Sequence, residues 1–132
     1  MLAWLHTSRD LGAEKVSGSG VERRVCQAVD VGGATLVANM HLSSSGDGQR
    51  LELERAAQFA ESRAGAGEPL VLAGDLNLRD VQLDGFSRPG PGIDHVLVRG
   101  AAAGALVVWP EERRRRNGVV LSDHAPVELE VG

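Results

Sequence analysis

Between residues 25 and 73 the chain places two β-rich runs, one segment of helical period and a third apolar run in that order, which leaves few ways to fold. Residues 25–31 and 34–40 are the two runs, and Gly32-Gly33 between them is a two-residue hairpin signal. After a polar loop at 43–48, Leu53, Ala56, Ala57, Ala60 and Ala64 recur at helical spacing with Glu and Arg on the other face. Gly65 and Gly67 end that helix and Pro69 prevents its return. Leu70-Val71-Leu72-Ala73 is continuously apolar, as a strand buried on both faces requires. A Gly- and Pro-rich loop at 76–92 leads to further strands at 93–98 and 106–109, then to a basic loop at 113–118. Residues 125–131 close the chain as a strand with one wet face. The order predicts an α+β domain: one mixed sheet with a helix packed on it.

A length of 132 residues allows one such domain and not two. With two Trp, two Phe and no Tyr, the core must be built from Val, Leu and Ala. A net charge of −4 argues against wrapping nucleic acid by bulk electrostatics, though not against an enzyme that touches a few phosphates. Cys26 is the only cysteine, so no intramolecular disulfide can form. No apolar stretch approaches the ~18 residues of a membrane span, and the first twenty residues carry no leader pattern. The cytosol is the default compartment. Residues 1–20 read as a weakly patterned lead-in ending in a flexible Ser-Gly-Ser-Gly. Thirteen Arg against one Lys carry no functional weight.

The informative feature is what stands at the strand ends. His41 follows 36–40, Asp75 and Asn77 follow 70–73, Asp94 opens the next strand, and Asp123 and His124 immediately precede the last one. Each group can bind a cation, move a proton or contact an anion, and strand ends are rigid platforms under open loops. Taken singly, each has an ordinary explanation as a turn former or satisfied polar residue. Four such signals in this order are hard to explain as independent turns.

The segments Val37-Ala-Asn-Met-His-Leu42, Leu72-Ala-Gly-Asp-Leu-Asn77, Gly92-Ile-Asp-His-Val-Leu-Val98 and Leu121-Ser-Asp-His-Ala-Pro-Val127 together resemble the endonuclease/exonuclease/phosphatase superfamily over roughly residues 22–132. Gly-Asp-x-Asn with Ser-Asp-His is the specific pair. The resemblance implies a four-layer αββα sandwich of two similar halves, of which this chain is the C-terminal half. The N-terminal half would be largely missing, including the family's principal metal-binding Glu and the Asn before it. Glu14 has the wrong surroundings to replace that Glu.

The resemblance also implies a mechanism. His124 would be the base that activates water or a donor to the transition state, with Asp94 orienting its imidazole. Asp75 and Asn77 would position water and phosphate, Asn77 donating to a non-bridging oxygen. His41 would contact the phosphate and protonate the leaving group. Asp123 would help bind a divalent ion, Mg²⁺ with Mn²⁺ as substitute, because hard cations favour oxygen ligands. Substrates would be phosphoesters of nucleic acid, lipid or small molecules. His6 and His95 have no matching role and read as ordinary polar residues. Residues 113–116 read as a solvated charge run, with a grip on phosphate as the alternative, and Trp109 as a core or rim residue. The competing reading is a catalytically incomplete fragment or partner-binding half-domain, with an uncovered apolar sheet face and little activity alone.

Overall fold

The structure, a computed structural model, describes residues 8–18, 22–45, 47–87 and 89–132. His6 and the end of the Ser-Gly-Ser-Gly stretch lie outside the described residues. A five-stranded mixed sheet runs in the order β1 (Ser8–Lys15), β2 (Val25–Val31), β3 (Thr35–His41), β4 (Leu70–Asp75) and β5 (Asp94–Arg99). All neighbours are antiparallel except β3 and β4, which are parallel and joined through α1 (Gln49–Arg63).

The period-2 pattern decides which face is covered. Leu36, Ala38 and Met40 of β3, with Leu70 and Leu72 of β4 and Leu97 of β5, are buried. They form one core with Leu53, Ala56, Ala57, Phe59 and Ala60 of the helix. Residues of the other phase, such as Asn39, His41, Ala73 and Asp75, look away from the helix and are exposed or half-buried. That is one sheet with one helix layer; on the other face Val71 and Val98 are also buried, while Asn39 and His41 stay exposed, an α+β unit of the half-sandwich kind.

Several boundaries differ from the sequence reading. The lead-in contains a full edge strand, β1, paired antiparallel to β2 with a register shift between Asp10 and Ala13. Its weak apolar pattern follows from its exposure, since most of its residues face solvent. Val31 pairs with Thr35, so the β2–β3 turn spans Gly32, Gly33 and Ala34 rather than two residues. The final strands do not join the main sheet. β6 (Val107–Val108) pairs with β9 (Val127–Glu128), and the flanking segments continue to bond less regularly, as in Gly104 N–H to Glu130 O at 2.9 Å. Pro110 and Pro126 bound this ladder, where a residue without an N–H cannot extend it.

The basic loop is also a structure of its own. A 3-10 turn (Glu111–Arg114) leads into β7 (Arg115–Arg116), which pairs with β8 (Val119–Val120). The turn residues Asn117 and Gly118 both have positive φ, at 50° and 79°, the conformation an Asn-Gly hairpin demands. Among the described residues no helix is long and apolar enough to cross a membrane.

Candidate active site

The register of the sheet assembles three of the expected residues in one row. His41 is the parallel partner of Asp75, and Asp75 is the antiparallel partner of Asp94. Side chains paired across neighbouring strands share a face, so all three emerge on the side away from α1. Gly74 makes the β3–β4 approach possible. Its φ is 145°, and a Cβ built there would lie 1.8 Å from Met40 O, so only glycine fits.

His124 arrives from the loop before β9. Its Nδ1 lies 2.8 Å from Asp94 Oδ2, and its Nε2 lies 3.8 Å from Asp75 Oδ2. The Asp94 bond makes Nδ1 the protonated nitrogen of the neutral ring and leaves Nε2 bare. The same bond, and then the Asp94 charge, raise the His124 pKa above its ordinary value. His41 Nε2 lies 3.5 Å from the same Asp75 Oδ2. Asp75 therefore stands between two imidazoles, while its Oδ1 accepts the Asn77 N–H at 2.9 Å. Asn77 sits at φ 49°, a conformation Asn tolerates, and its Nδ2 donates to Leu42 O at 2.9 Å.

One ligand atom each from Asp75, Asp94 and His124 lies within 4.8 Å of the others, a grouping able to hold a cation. Asp123 is outside this trio; it is exposed and lines the neighbouring cavity beside Asp94 and His124. That cavity, of about 320 Å³, also has Arg79, Ile93, Leu106 and Val108 in its walls. His41, Asp75, Asn77, Asp94 and His124 thus converge on one rim, with Asp123 adjoining.

One expectation changes. His95 is not an ordinary surface polar residue. It is fully buried, and its ring ties Leu78 O at 2.7 Å and Gly90 N at 3.2 Å, pinning both ends of the 76–92 loop. Its position opposite Gly74 in the register, on the helix side, is what buries it. The arginine run stays largely exposed, as a solvated charge run does, while three of its members also pair within the chain. Arg113 stacks on Trp109 and faces Glu128, while Arg115 pairs with Glu111. Arg114 donates to Ser122 O at 2.6 Å and so braces the loop carrying His124. The Asn-Gly dipeptide at 117–118 was the signal that could have revealed this hairpin.

Residues 9–124 match the sequence profile of the Endonuclease/Exonuclease/phosphatase family. The chain belongs to that family. Among solved structures, a functionally unknown conserved protein from Enterococcus faecalis has the same fold at TM-score 0.69 and 16% identity, over 95% of this chain and 67% of its own. Bacteroides thetaiotaomicron mannosyl-6-phosphatase matches at TM-score 0.59 and 18% identity, over 95% and 67%. D. rerio TDP2 complexed with single strand DNA product matches at TM-score 0.61 and 14% identity, over 91% and 66%. Identities this low show the shared fold, and this family member spans about two thirds of the length of those chains. No curated protein matches it in sequence.

Proposed function

We propose that the chain is a divalent-cation-dependent phosphoester hydrolase that activates water for attack on phosphorus. The observation that carries this reading is the Asp94–His124 pair, which leaves a bare Nε2 facing Asp75 and, across it, His41. In this scheme His124 takes the proton of the attacking water and Asp94 holds the imidazole in the tautomer that can do so. Asn77 keeps one amide hydrogen beyond its bond to Leu42 O, and donates it to a non-bridging oxygen. His41 contacts the phosphate and protonates the leaving oxygen.

Charge supports a cation. Asp75, Asp94 and Asp123 border the site, whereas Arg79 is the one guanidinium on the cavity wall among the described residues. A phosphate anion arriving there meets excess negative charge. Bound Mg²⁺, or Mn²⁺ in its place, would supply charge neutralisation at the phosphoryl oxygens. The donor set fits, because carboxylate oxygens are what a hard cation prefers, and Asp75, Asp94 and Asp123 would hold it.

The adjoining cavity suits one small substituent of the ester rather than a long duplex. The net charge of −4 agrees with that preference. Small phosphoesters and single-stranded nucleic acid ends are the substrate classes proposed, and the cytosol is the proposed compartment. A second reading is a unit that needs a partner to supply a further acidic ligand; exposed Val107 and Val108 favour it.

The test is release of p-nitrophenol from bis(p-nitrophenyl) phosphate and p-nitrophenyl phosphate by the 132-residue chain with Mg²⁺, Mn²⁺ or EDTA. The first reading expects cation-dependent release that is lost in Asp75→Ala and His124→Ala. Cation binding without turnover supports the second reading. Turnover that ignores both substitutions contradicts either.

A further inference from the structure

Glu52 is an acid in an unexpected place. It lies in the first turn of α1 and is only 3% exposed. An ionised carboxylate withdrawn from water is costly unless its lone pairs are satisfied. Both of its oxygens are taken by one residue. Oε2 accepts the Ser43 N–H at 2.8 Å and Oε1 accepts the Ser43 hydroxyl at 2.7 Å. An apolar side chain would serve the core at least as well at this position, so the bonds to Ser43 are what distinguish a carboxylate here.

Ser43 N–H belongs to the same peptide unit as Leu42 C=O. That unit is planar and trans, so its N–H and C=O point in opposite directions and turn together. On the far side of the plane, Leu42 O accepts Asn77 Nδ2–H at 2.9 Å. Leu42 N–H in turn donates to Asp75 O at 2.9 Å. One line of hydrogen bonds therefore runs from the Glu52 carboxylate, through the Leu42–Ser43 peptide, to the side-chain amide of Asn77. An anion at the donor end of a peptide polarises it and strengthens its carbonyl as an acceptor.

We infer that Glu52 is a positioning residue for the active site, orienting the Asn77 amide through the Leu42–Ser43 peptide. The catalytic consequence rests on the proposed hydrolase reading; the structural link does not. Glu52 also sits in the first turn of α1, at the positive end of the helix dipole, where an acidic side chain is favoured. His41 precedes Leu42 directly, so the same peptide anchors the end of β3 from which His41 projects.

The experiment compares Glu52→Leu and Glu52→Gln in the whole chain. Leucine keeps the volume but offers Ser43 nothing. Glutamine retains one oxygen for the Ser43 N–H, while its amide can donate to a hydroxyl that reverses its role. The first readout is the Asn77 side-chain amide in ¹H–¹⁵N spectra, with its hydrogen exchange. Glu52→Leu is expected to shift those resonances and speed their exchange while leaving the melting temperature equal to or above that of the parent. Glu52→Gln is expected to change them little. The second readout is turnover. Glu52→Leu is expected to lower kcat about tenfold with KM nearly constant, the scale of losing an outer support, and Glu52→Gln to restore most of it. In an Asn77→Ala background the Glu52→Leu loss should largely vanish. Unchanged Asn77 resonances in Glu52→Leu, or a kcat loss that simply adds to that of Asn77→Ala, would overturn the inference. If the parent chain shows no turnover, the hydrolase reading fails, and the amide spectra alone decide the role of Glu52.

Discussion

His124 Nδ1 lies 2.8 Å from Asp94 Oδ2, although thirty positions separate the two in the chain. This bond and the carboxylate charge raise the imidazole pKa, so His124 stays protonated to a higher pH than a free histidine. A base must be neutral to accept a proton. Activity is therefore expected to fall as pH drops through the raised pKa. Asp94→Asn removes the leading cause of the shift, so the acid limb of the kcat profile should move to lower pH. The height of that profile should drop by roughly 10²-fold or more as the tautomer is lost. A limb that stays in place in Asp94→Asn would show that another group titrates.

Asp75 and His41 should not be equally sensitive. Asp75 faces both imidazoles and bonds to the Asn77 N–H, so Asp75→Ala removes a centre of the arrangement. Its kcat/KM is expected to fall by about 10³-fold. His41 is mostly exposed, with 59% of its side-chain surface accessible. His41→Ala should cost about 10–10²-fold, the scale of a single proton donor, and less for a substrate with a good leaving group such as p-nitrophenolate. Equal losses on good and poor leaving groups would remove the proton-donor role from His41.

Gly74 is the position where stability and site geometry meet. With φ at 145° and a built Cβ at 1.8 Å from Met40 O, alanine cannot enter without parting β3 from β4. Gly74→Ala is expected to destabilise the fold by about 3–5 kcal/mol, measured by urea or thermal unfolding. Gly67→Ala is the control: it too has positive φ, but its Cβ meets nothing within 4 Å, so it should cost only about 1 kcal/mol.

Arg114 and Arg116 lie in one basic run but should behave differently. Arg114 donates to Ser122 O, and Ser122 Oγ in turn accepts the His124 N–H at 3.1 Å. Arg114→Ala is expected to lower kcat about tenfold by loosening the His124 loop. Arg116→Ala should change it less than twofold, in the range of an ordinary surface substitution. A larger effect of Arg116 on KM would revive the view of this run as a phosphate grip.

Much of this was legible in the chain because it rests on short-range pattern. The β2–β3 hairpin, α1, β4 and β5 each carry a period or punctuation of their own, and His41, Asp75 and Asp94 stand at their ends. What could not be read was set by partners far away. β1 looks unpatterned because an exposed edge strand needs no apolar face. His95 resembles any polar residue until the register places it opposite Gly74, inside the fold. Glu52 reads as one of the polar residues of the solvent face, yet its spacing four before Ala56 puts it on the buried stripe of α1, where its carboxylate meets Ser43. The Asn-Gly hairpin sits inside the basic run, whose flanking residues carry no apolar alternation to mark the two short strands.

The proposed chemistry depends on a divalent cation binding at the rim that carries Asp75 and Asp94, with Asp123 adjoining. Titrating Mn²⁺ into ¹⁵N-labelled protein tests this directly, because the ion broadens nearby resonances whether or not turnover occurs. The amides of Asp75, Asp94 and residues 122–125 should broaden first, and Asp75→Asn should abolish the effect. Broadening that begins instead around Glu111 and Glu112, or that survives Asp75→Asn unchanged, would contradict the account.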